Sequence, residues 1–187
     1  MTSSDATALR PGAVEENAAR VGASYAGSVA PGAGGDVKVA VVCAKFNGGI
    51  TERLLTGVLA GLDANGVKPA SVSVAWVPGA FELPVVARRM AVAGNDAVVA
   101  LGAVIRGDTA HFDFVAGQCA AGLQRAALDT GVPVVFGVLT TDTVEQALVR
   151  SGPGRDNKGY EAAVTALEMV DLLGALPAPA PRPDPAS

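Results

Sequence analysis

Two features of the sequence predict an α/β protein, a three-layer sandwich built around a four-stranded parallel sheet. Short apolar runs alternate along the chain with longer segments in which apolar residues recur at helical spacing. Half of the 187 residues are hydrophobic and only 17% are charged, so a single domain can bury a substantial core. Because strands that alternate with helices form parallel sheets, we expect helices on both faces and right-handed crossovers.

The first half of the chain begins with an apolar run at 37–44, which is the first predicted strand. Apolar residues at helical spacing predict a helix at 50–62, and an Asn-Gly pair at 65–66 ends it. The run 72–77 is the second predicted strand. A Pro-Gly turn separates this strand from the second predicted helix, at 81–92.

The second half repeats the alternation, with a third strand at 97–105, a third helix at 111–128 and a fourth strand at 132–139. A short helix at 142–150 follows, and a Gly-rich break separates it from a final helix at 158–173. We expect the strand order 2-1-3-4, which makes the domain flavodoxin-like.

The two ends of the chain differ in composition from this alternating core. Residues 1–36 are rich in Ala, Gly and Ser, so we expect a mobile extension in which 14–20 could form a helix. Residues 175–187 form a Pro-rich tail that favours extended polyproline structure. The predicted domain is therefore 37–174.

Composition excludes several classes of function. The formal charge of −4 argues against nucleic-acid binding, and no apolar run is long enough to span a membrane. With His111 as the only histidine, and with Cys43 and Cys119 far apart, we expect no metal site. We interpret both cysteines as reduced core residues of a cytoplasmic protein, since no secretory signal is present.

Residues 101–113 contain the most informative junction, because a strand breaks at Gly107 and a helix starts near His111. Ligands bind at this edge of parallel sheets, and a helix start suits phosphate. His111 could then transfer protons, although a lone histidine is often structural. We expect the Arg106 side chain either to contact an anion or to point away from the site towards a partner. Asp108 would donate its backbone N–H to a bound phosphate. Its carboxylate would point outward, because the carboxylate would repel the phosphate.

Three other junctions carry candidate residues, and each has a structural alternative. Phe46 either stacks on a planar heterocycle or covers the end of a strand. Glu82 either accepts hydrogen bonds from substrate hydroxyls or only favours a helix start. Arg150 and Lys158 flank the Gly-rich break as an anion clamp or as solvated charges, and Lys158 can pair with Glu161.

The acidic residues at the fourth junction have a simpler interpretation. Asp142 and Glu145 have the spacing of a capping box, so we interpret them as caps of the short helix. The dinucleotide fingerprint, the P-loop and the serine-hydrolase elbow do not occur in the sequence.

Taken together, these motifs resemble the lumazine synthase family over residues 37–174. The resemblance rests on segments that occur in the order and spacing of the family: 45–47, 78–84, 100–107, 109–113, 136–142, 145–147, 157–159 and 161–163. It implies condensation of a ribitylamino-pyrimidinedione with dihydroxybutanone phosphate, which gives dimethylribityllumazine, phosphate and water in riboflavin biosynthesis. It implies no metal or redox cofactor.

The resemblance also implies a role for each candidate residue. Phe46 would stack on the pyrimidine, and His111 would shuttle protons. The remaining residues implied to bind the ring, ribityl chain and phosphate are Ala80, Phe81, Glu82, Val104, Ile105, Asp108, Thr109 and Arg150. Three residues would come from the neighbouring subunit: Phe136, Arg150 and Lys158.

Members of this family form pentamers, and some assemble sixty subunits into a shell. The short linker 151–156 resembles that of shell-forming members, so we expect a shell, and the resemblance adds riboflavin synthase as a partner. The segment before Val37 is expected to reach a neighbour's sheet edge.

Two other functions are alternatives to the enzyme. The first is a non-catalytic shell protein that binds lumazine or flavin, and the second is a flavodoxin-like electron carrier, which the loop at 45–49 disfavours.

Overall fold

A computed structural model describes residues 22–29, 32 and 34–177. Within that part of the chain, four strands form one sheet: β1 (Val39–Ala44), β2 (Val72–Val77), β3 (Ala97–Ile105) and β4 (Val134–Thr141). Five α-helices accompany them: α1 (Gly48–Ala64), α2 (Leu83–Ala91), α3 (His111–Thr130), α4 (Val144–Arg150) and α5 (Lys158–Ala175). Short 3-10 turns occupy Pro69–Ser71 and Ala80–Glu82.

All strand pairs of the sheet are parallel, and the order is β2-β1-β3-β4. The predicted fold class and strand order are therefore confirmed. The strands β1 and β3 lie in the centre of the sheet, and every residue of β1 is buried. This explains why these two runs carry almost no polar side chain, since a central parallel strand is covered on both faces.

Helices cover both faces of the sheet and form two separate cores. On one face, α1 and α5 pack against the sheet through side chains that include Leu54, Val58 and Ala163. On the other face, α2 and α3 pack through side chains that include Leu83 and Leu123. The result is the predicted three-layer sandwich, in which aliphatic side chains supply most of the core because aromatic residues are scarce.

The helices α1 and α5 approach each other unusually closely, and glycine makes this possible. A Cβ atom at Gly159 would overlap the carbonyl oxygen of Leu54. Asn157 caps α5 by accepting a hydrogen bond from the Gly159 N–H at 2.8 Å, and its amide donates to the carbonyls of Arg53 (3.1 Å) and Gly152 (2.7 Å). The buried Asn157 side chain therefore fixes the start of α5 against α1.

Most predicted element boundaries differ from the structure by one or two residues, and two of the differences have an identifiable reason. The strand β4 runs two residues later than predicted, because Thr140 and Thr141 continue the pairing with the end of β3. The predicted helix at 81–92 is divided into the 3-10 turn and α2. The predicted capping by Asp142 is also wrong, since the cap of α4 is Thr143, whose hydroxyl accepts from the Gln146 N–H.

A part of the N-terminal extension lies on the last helix of its own chain. The N–H and hydroxyl of Ser28 donate to the Asp171 carboxylate at 2.9 and 3.3 Å, and Val29 packs against the core. The helix considered at 14–20 lies outside the described residues, as does most of the Pro-rich tail. In the described part of the chain, no helix is both long and apolar enough to cross a membrane.

Candidate active site

The loops that follow β1, β2 and β3 meet at one edge of the sheet and enclose a cavity of about 690 Å³. We call it the carboxyl-edge cavity. It brings together most of the predicted site residues: Phe46, Ala80, Phe81, Glu82, Val104, Ile105, Thr109 and His111. This convergence follows from the topology, because all carboxyl ends of a parallel sheet lie at the same edge.

The loop that carries Phe46 is held by both neighbouring strands. The N–H groups of Lys45 and Phe46 donate to the carbonyls of Val77 and Pro78 at 2.8 and 3.1 Å. Asn47 takes a left-handed conformation with φ 58°, and its amide donates to the Ala103 carbonyl at 2.8 Å. Asparagine tolerates this backbone region better than most residues, which is why it suits the turn.

Phe46 projects into solvent at the cavity, with 72% of its surface exposed. A phenylalanine that served only to cover a strand end would be largely buried. Phe81 is also exposed, on the opposite loop of the same cavity. Exposed aromatic side chains that line a cavity suit the binding of a planar or apolar group, so the stacking interpretation of Phe46 is favoured.

Glu82 lies at the end of the 3-10 turn and immediately before α2. Its carboxylate makes no capping hydrogen bond to that helix. The side chain bends back instead, so that a Cβ atom at Gly79 would lie 3.2 Å from its Oε2 atom. The glycine leaves room for a carboxylate that lines the cavity and can accept hydrogen bonds from a ligand.

The junction after β3 places His111 at the first position of α3. The His111 N–H points towards the Thr109 hydroxyl at 3.4 Å, and both residues line the cavity. Asp108 is exposed and does not line the cavity, so the predicted use of its N–H stays a prediction. An imidazole beside a cavity can both donate and accept a proton.

Arg106 makes its side-chain contacts with residues of its own chain, and its predicted contact with a bound anion or a partner stays a prediction. Its Nε atom donates to Asp142 Oδ1 at 2.9 Å, one terminal nitrogen donates to Asp113 Oδ1 at 3.2 Å, and the guanidinium lies 4.1 Å from the centre of the Phe112 ring. The hydrogen bond to Asp142, together with Asp113, raises the pKa of Arg106. The guanidinium thus bonds to carboxylates of its own chain and does not line the cavity.

A second depression of about 670 Å³ lies along the edge strand β4, and we call it the β4 groove. Phe136, Arg150 and Lys158 line it together with Glu161. The predicted pair is confirmed, because Lys158 Nζ lies 2.7 and 2.8 Å from the two carboxylate oxygens of Glu161. Arg150 donates to the Gln146 carbonyl at 3.1 Å, within its own helix.

A protein-family model for 6,7-dimethyl-8-ribityllumazine synthase matches residues 36–174, which include all four strands and all five α-helices except the last residue of α5. The chain belongs to this family. Lumazine synthases are enzymes of riboflavin biosynthesis, and the parallel sheet with its helices agrees with that fold. The match begins one residue before the predicted start of the domain and ends at its predicted last residue.

Residues that the lumazine synthase resemblance assigns to one site are divided in this chain between two depressions. The carboxyl-edge cavity and the β4 groove have no lining residue in common. Phe136, Arg150 and Lys158 all belong to the groove. A single chain therefore does not bring these three side chains to Phe46 and His111.

Some residues of the cavity were not predicted as lumazine synthase site residues. Phe114 and Val115 line the cavity because they follow His111 by three and four positions on the same helix. Helical spacing from His111 could have indicated both residues. The contacts of Asn47 with Ala103 and of Arg106 with Asp142 join residues far apart in sequence, and no local pattern predicts them.

Proposed function

We propose that the protein condenses 5-amino-6-(D-ribitylamino)uracil with 3,4-dihydroxy-2-butanone 4-phosphate. The products are 6,7-dimethyl-8-ribityllumazine, phosphate and water. The observation that carries this proposal is the meeting of Phe46, Glu82 and His111 in one cavity of a chain that belongs to the lumazine synthase family. These three side chains supply a stacking surface, a hydroxyl acceptor and a proton shuttle.

The exposed aromatic rings support binding of the pyrimidine substrate. Phe46 would stack on the pyrimidinedione, and the carboxylate of Glu82 would accept hydrogen bonds from the ribityl chain, together with the turn at Ala80 and Phe81. The end of β3 supports recognition of the polar edge of the ring, because Val104 and Ile105 line the cavity there.

The start of α3 suits the phosphate-bearing substrate. Thr109 and the N–H of Asp108 would hold the phosphate, and Arg150 of a neighbouring subunit would neutralise its charge. His111 would move protons while the amine condenses with the ketone, water leaves and the phosphate is eliminated. Holding two reactants together lowers the entropic part of the barrier, so positioning supplies much of the acceleration.

The complete site is proposed to form between two subunits. Exposed apolar side chains support this, since Phe136 on β4, Leu128 on α3 and Val149 on α4 are all exposed in the single chain. An edge strand such as β4 has unpaired backbone groups along one side, which can pair with another chain. The proposed assembly is built from pentamers, and the short linker 151–156 favours a shell of sixty subunits. We also propose a cytoplasmic location and riboflavin synthase as a partner.

The test is product formation by the purified protein. Both substrates are mixed with it, and lumazine absorbance and phosphate release are followed above the spontaneous rate. Acceleration supports the enzyme. Tight binding of the pyrimidine without acceleration, in an intact oligomer, would instead favour the non-catalytic binding protein. Light scattering measures the assembly, and a mass near five chains would contradict the shell.

A further inference from the structure

Arg106 lines neither depression, although Ile105 and Gly107 beside it line the cavity and its N–H donates to Thr141, which follows Thr140 of the groove. We infer that Arg106 is a positioning residue that holds the His111 end of α3 and the Arg150 helix α4 in a fixed relation. We call Arg106, Asp113 and Asp142 the Arg106 cluster. The inference rests on the proposed function for its kinetic part and on the geometry of the cluster for its structural part.

On the side of the cavity, the cluster holds both residues that follow His111. The guanidinium lies over the ring of Phe112, at 4.1 Å from its centre, and donates to Asp113 at 3.2 Å. Phe112 also lines the cavity. Because Phe112 and Asp113 are the next two residues of the same helical turn, fixing them fixes the backbone that carries His111.

On the side of the groove, hydrogen bonds lead from Arg106 to Arg150. Arg106 donates to Asp142 at 2.9 Å, and the Asp142 N–H donates to the side-chain oxygen of Gln146 at 2.9 Å. The Gln146 carbonyl accepts from Arg150 at 3.1 Å. Thr143, between them, caps the helix. The orientation of α4 therefore depends on the loop that Asp142 fixes.

The chemistry of arginine matters for this arrangement. The planar guanidinium donates from different nitrogens in two directions while its face covers an aromatic ring, which a lysine ammonium cannot reproduce. The base of the side chain is fixed too, since the Arg106 N–H donates to the Thr141 carbonyl at 2.9 Å. Both carboxylates are more than half exposed, so the pairs contribute little to stability and much more to geometry.

Four variants test the cluster, and the two aspartate variants separate its arms. Asp113→Ala removes the acceptor of the Arg106 hydrogen bond and releases the His111 arm, so it lowers kcat by about fivefold with a nearly unchanged KM. Asp142→Ala removes the acceptor of the Arg106 Nε–H and releases the Arg150 arm, so it raises the KM for the phosphate-bearing substrate by about fivefold. Arg106→Gln lowers kcat and raises this KM, so that kcat/KM falls by about tenfold or more. Arg106→Lys restores only part of this loss.

The matched control is Arg125→Gln. Arg125 pairs with Asp129 on the same helix α3, at 2.9 and 3.0 Å, and lies outside both depressions. This variant loses an exposed ion pair of the same kind, so it should keep the kcat and KM of the native protein. Kinetic parameters of Arg106→Gln within twofold of the native values would overturn the inference.

Amide hydrogen exchange gives a readout that does not require activity. Arg106→Gln should accelerate exchange in both 107–114 and 142–150, whereas Arg125→Gln should leave both segments as in the native protein. If exchange in both segments is unchanged in Arg106→Gln, the positioning role of Arg106 is refuted, even if the native protein is an active enzyme. A native protein that fails to accelerate the condensation refutes the proposed function, while the exchange measurement still decides whether Arg106 holds the two segments.

Discussion

The Asn47 side-chain amide donates to the Ala103 carbonyl at 2.8 Å, which bonds the Phe46 loop directly to the strand that leads to His111. The two residues are distant in sequence, and their contact holds the Phe46 loop against β3 at the cavity that Phe46 and His111 both line. Since Asn47 also has a positive φ, one residue meets a backbone requirement and a side-chain requirement at the same place.

Asn47→Gly should separate these two requirements. Glycine accepts the positive φ but loses the hydrogen bond, so we expect a loss of about 1 kcal/mol in stability and a KM for the pyrimidine raised several-fold. Asn65→Ala is the control, because Asn65 makes a similar bond to the Gly61 carbonyl at the other end of α1. It should reduce stability without changing that KM, and an equal change in KM for both variants would contradict the prediction.

Phe46→Ala should affect substrate binding far more than folding. The side chain is 72% exposed, so we expect the free energy of unfolding to change by about 0.5 kcal/mol or less. Loss of stacking should raise the KM for the pyrimidine by about tenfold or more, and Phe46→Trp should retain most of the affinity. Chemical unfolding and substrate titration measure the two effects. Strong destabilisation with unchanged KM would restore the strand-covering interpretation.

His111→Ala should slow the condensation without abolishing it, because positioning of two reactants supplies much of the acceleration. Arg150→Ala should weaken binding of the phosphate-bearing substrate more severely, since it removes the cation that would neutralise the phosphate. Steady-state kinetics with each substrate varied in turn measures both effects. An equal and complete loss of activity in both variants, with assembly intact, would contradict this ranking.

Gly159→Ala should destabilise the protein by about 3 kcal/mol, because the added methyl group would overlap the Leu54 carbonyl in the tightest part of the contact between α1 and α5. The control lies in the same helix. At Gly174 no atom would come within 4 Å of an added Cβ, so Gly174→Ala should stabilise slightly, by about 0.5 kcal/mol. Equal changes in the free energy of unfolding for the two variants, measured by chemical unfolding, would show that α1 and α5 move apart to accept the methyl group.

The two thiols should make stability fall in alkaline solution. Burial raises the pKa of Cys43 to about 12 and of Cys119 to about 11, from an ordinary value of 9.0. The unfolded chain loses these protons first, so their contribution is complete below pH 9 and is lost as the pH rises towards 12. Unfolding at pH 8 and pH 10 measures this, and the Cys43→Ala, Cys119→Ala double variant should reduce the loss.

The fold could be predicted because its signals are local. The alternation of apolar runs with helical spacing, together with turn residues at each junction, indicated the layers that the structure has. No local signal specifies the strand order, which was expected from the flavodoxin-like class and agrees with the structure. The position of Phe46, Glu82 and His111 at one edge followed from the same alternation, since every carboxyl end of a parallel sheet lies there.

The remaining features depend on contacts between side chains that are distant in sequence. Arg106 could be recognised as a cation near an anion site, but its pairing with Asp142 requires the positions of two adjacent strand ends. The cap of α4 was misplaced by one residue because Asp142 and Thr143 are both good capping residues. Only the backbone conformation distinguishes them.

The carboxyl-edge cavity and the β4 groove are different surfaces of the same chain. An interface that joins the cavity of one copy to the groove of the next is therefore heterologous, and a two-fold axis cannot relate its two sides. Such contacts continue from copy to copy until a ring closes or a filament forms. Closure of the ring then determines the number of complete sites, which equals the number of chains, whereas every open assembly leaves one cavity and one groove unmatched.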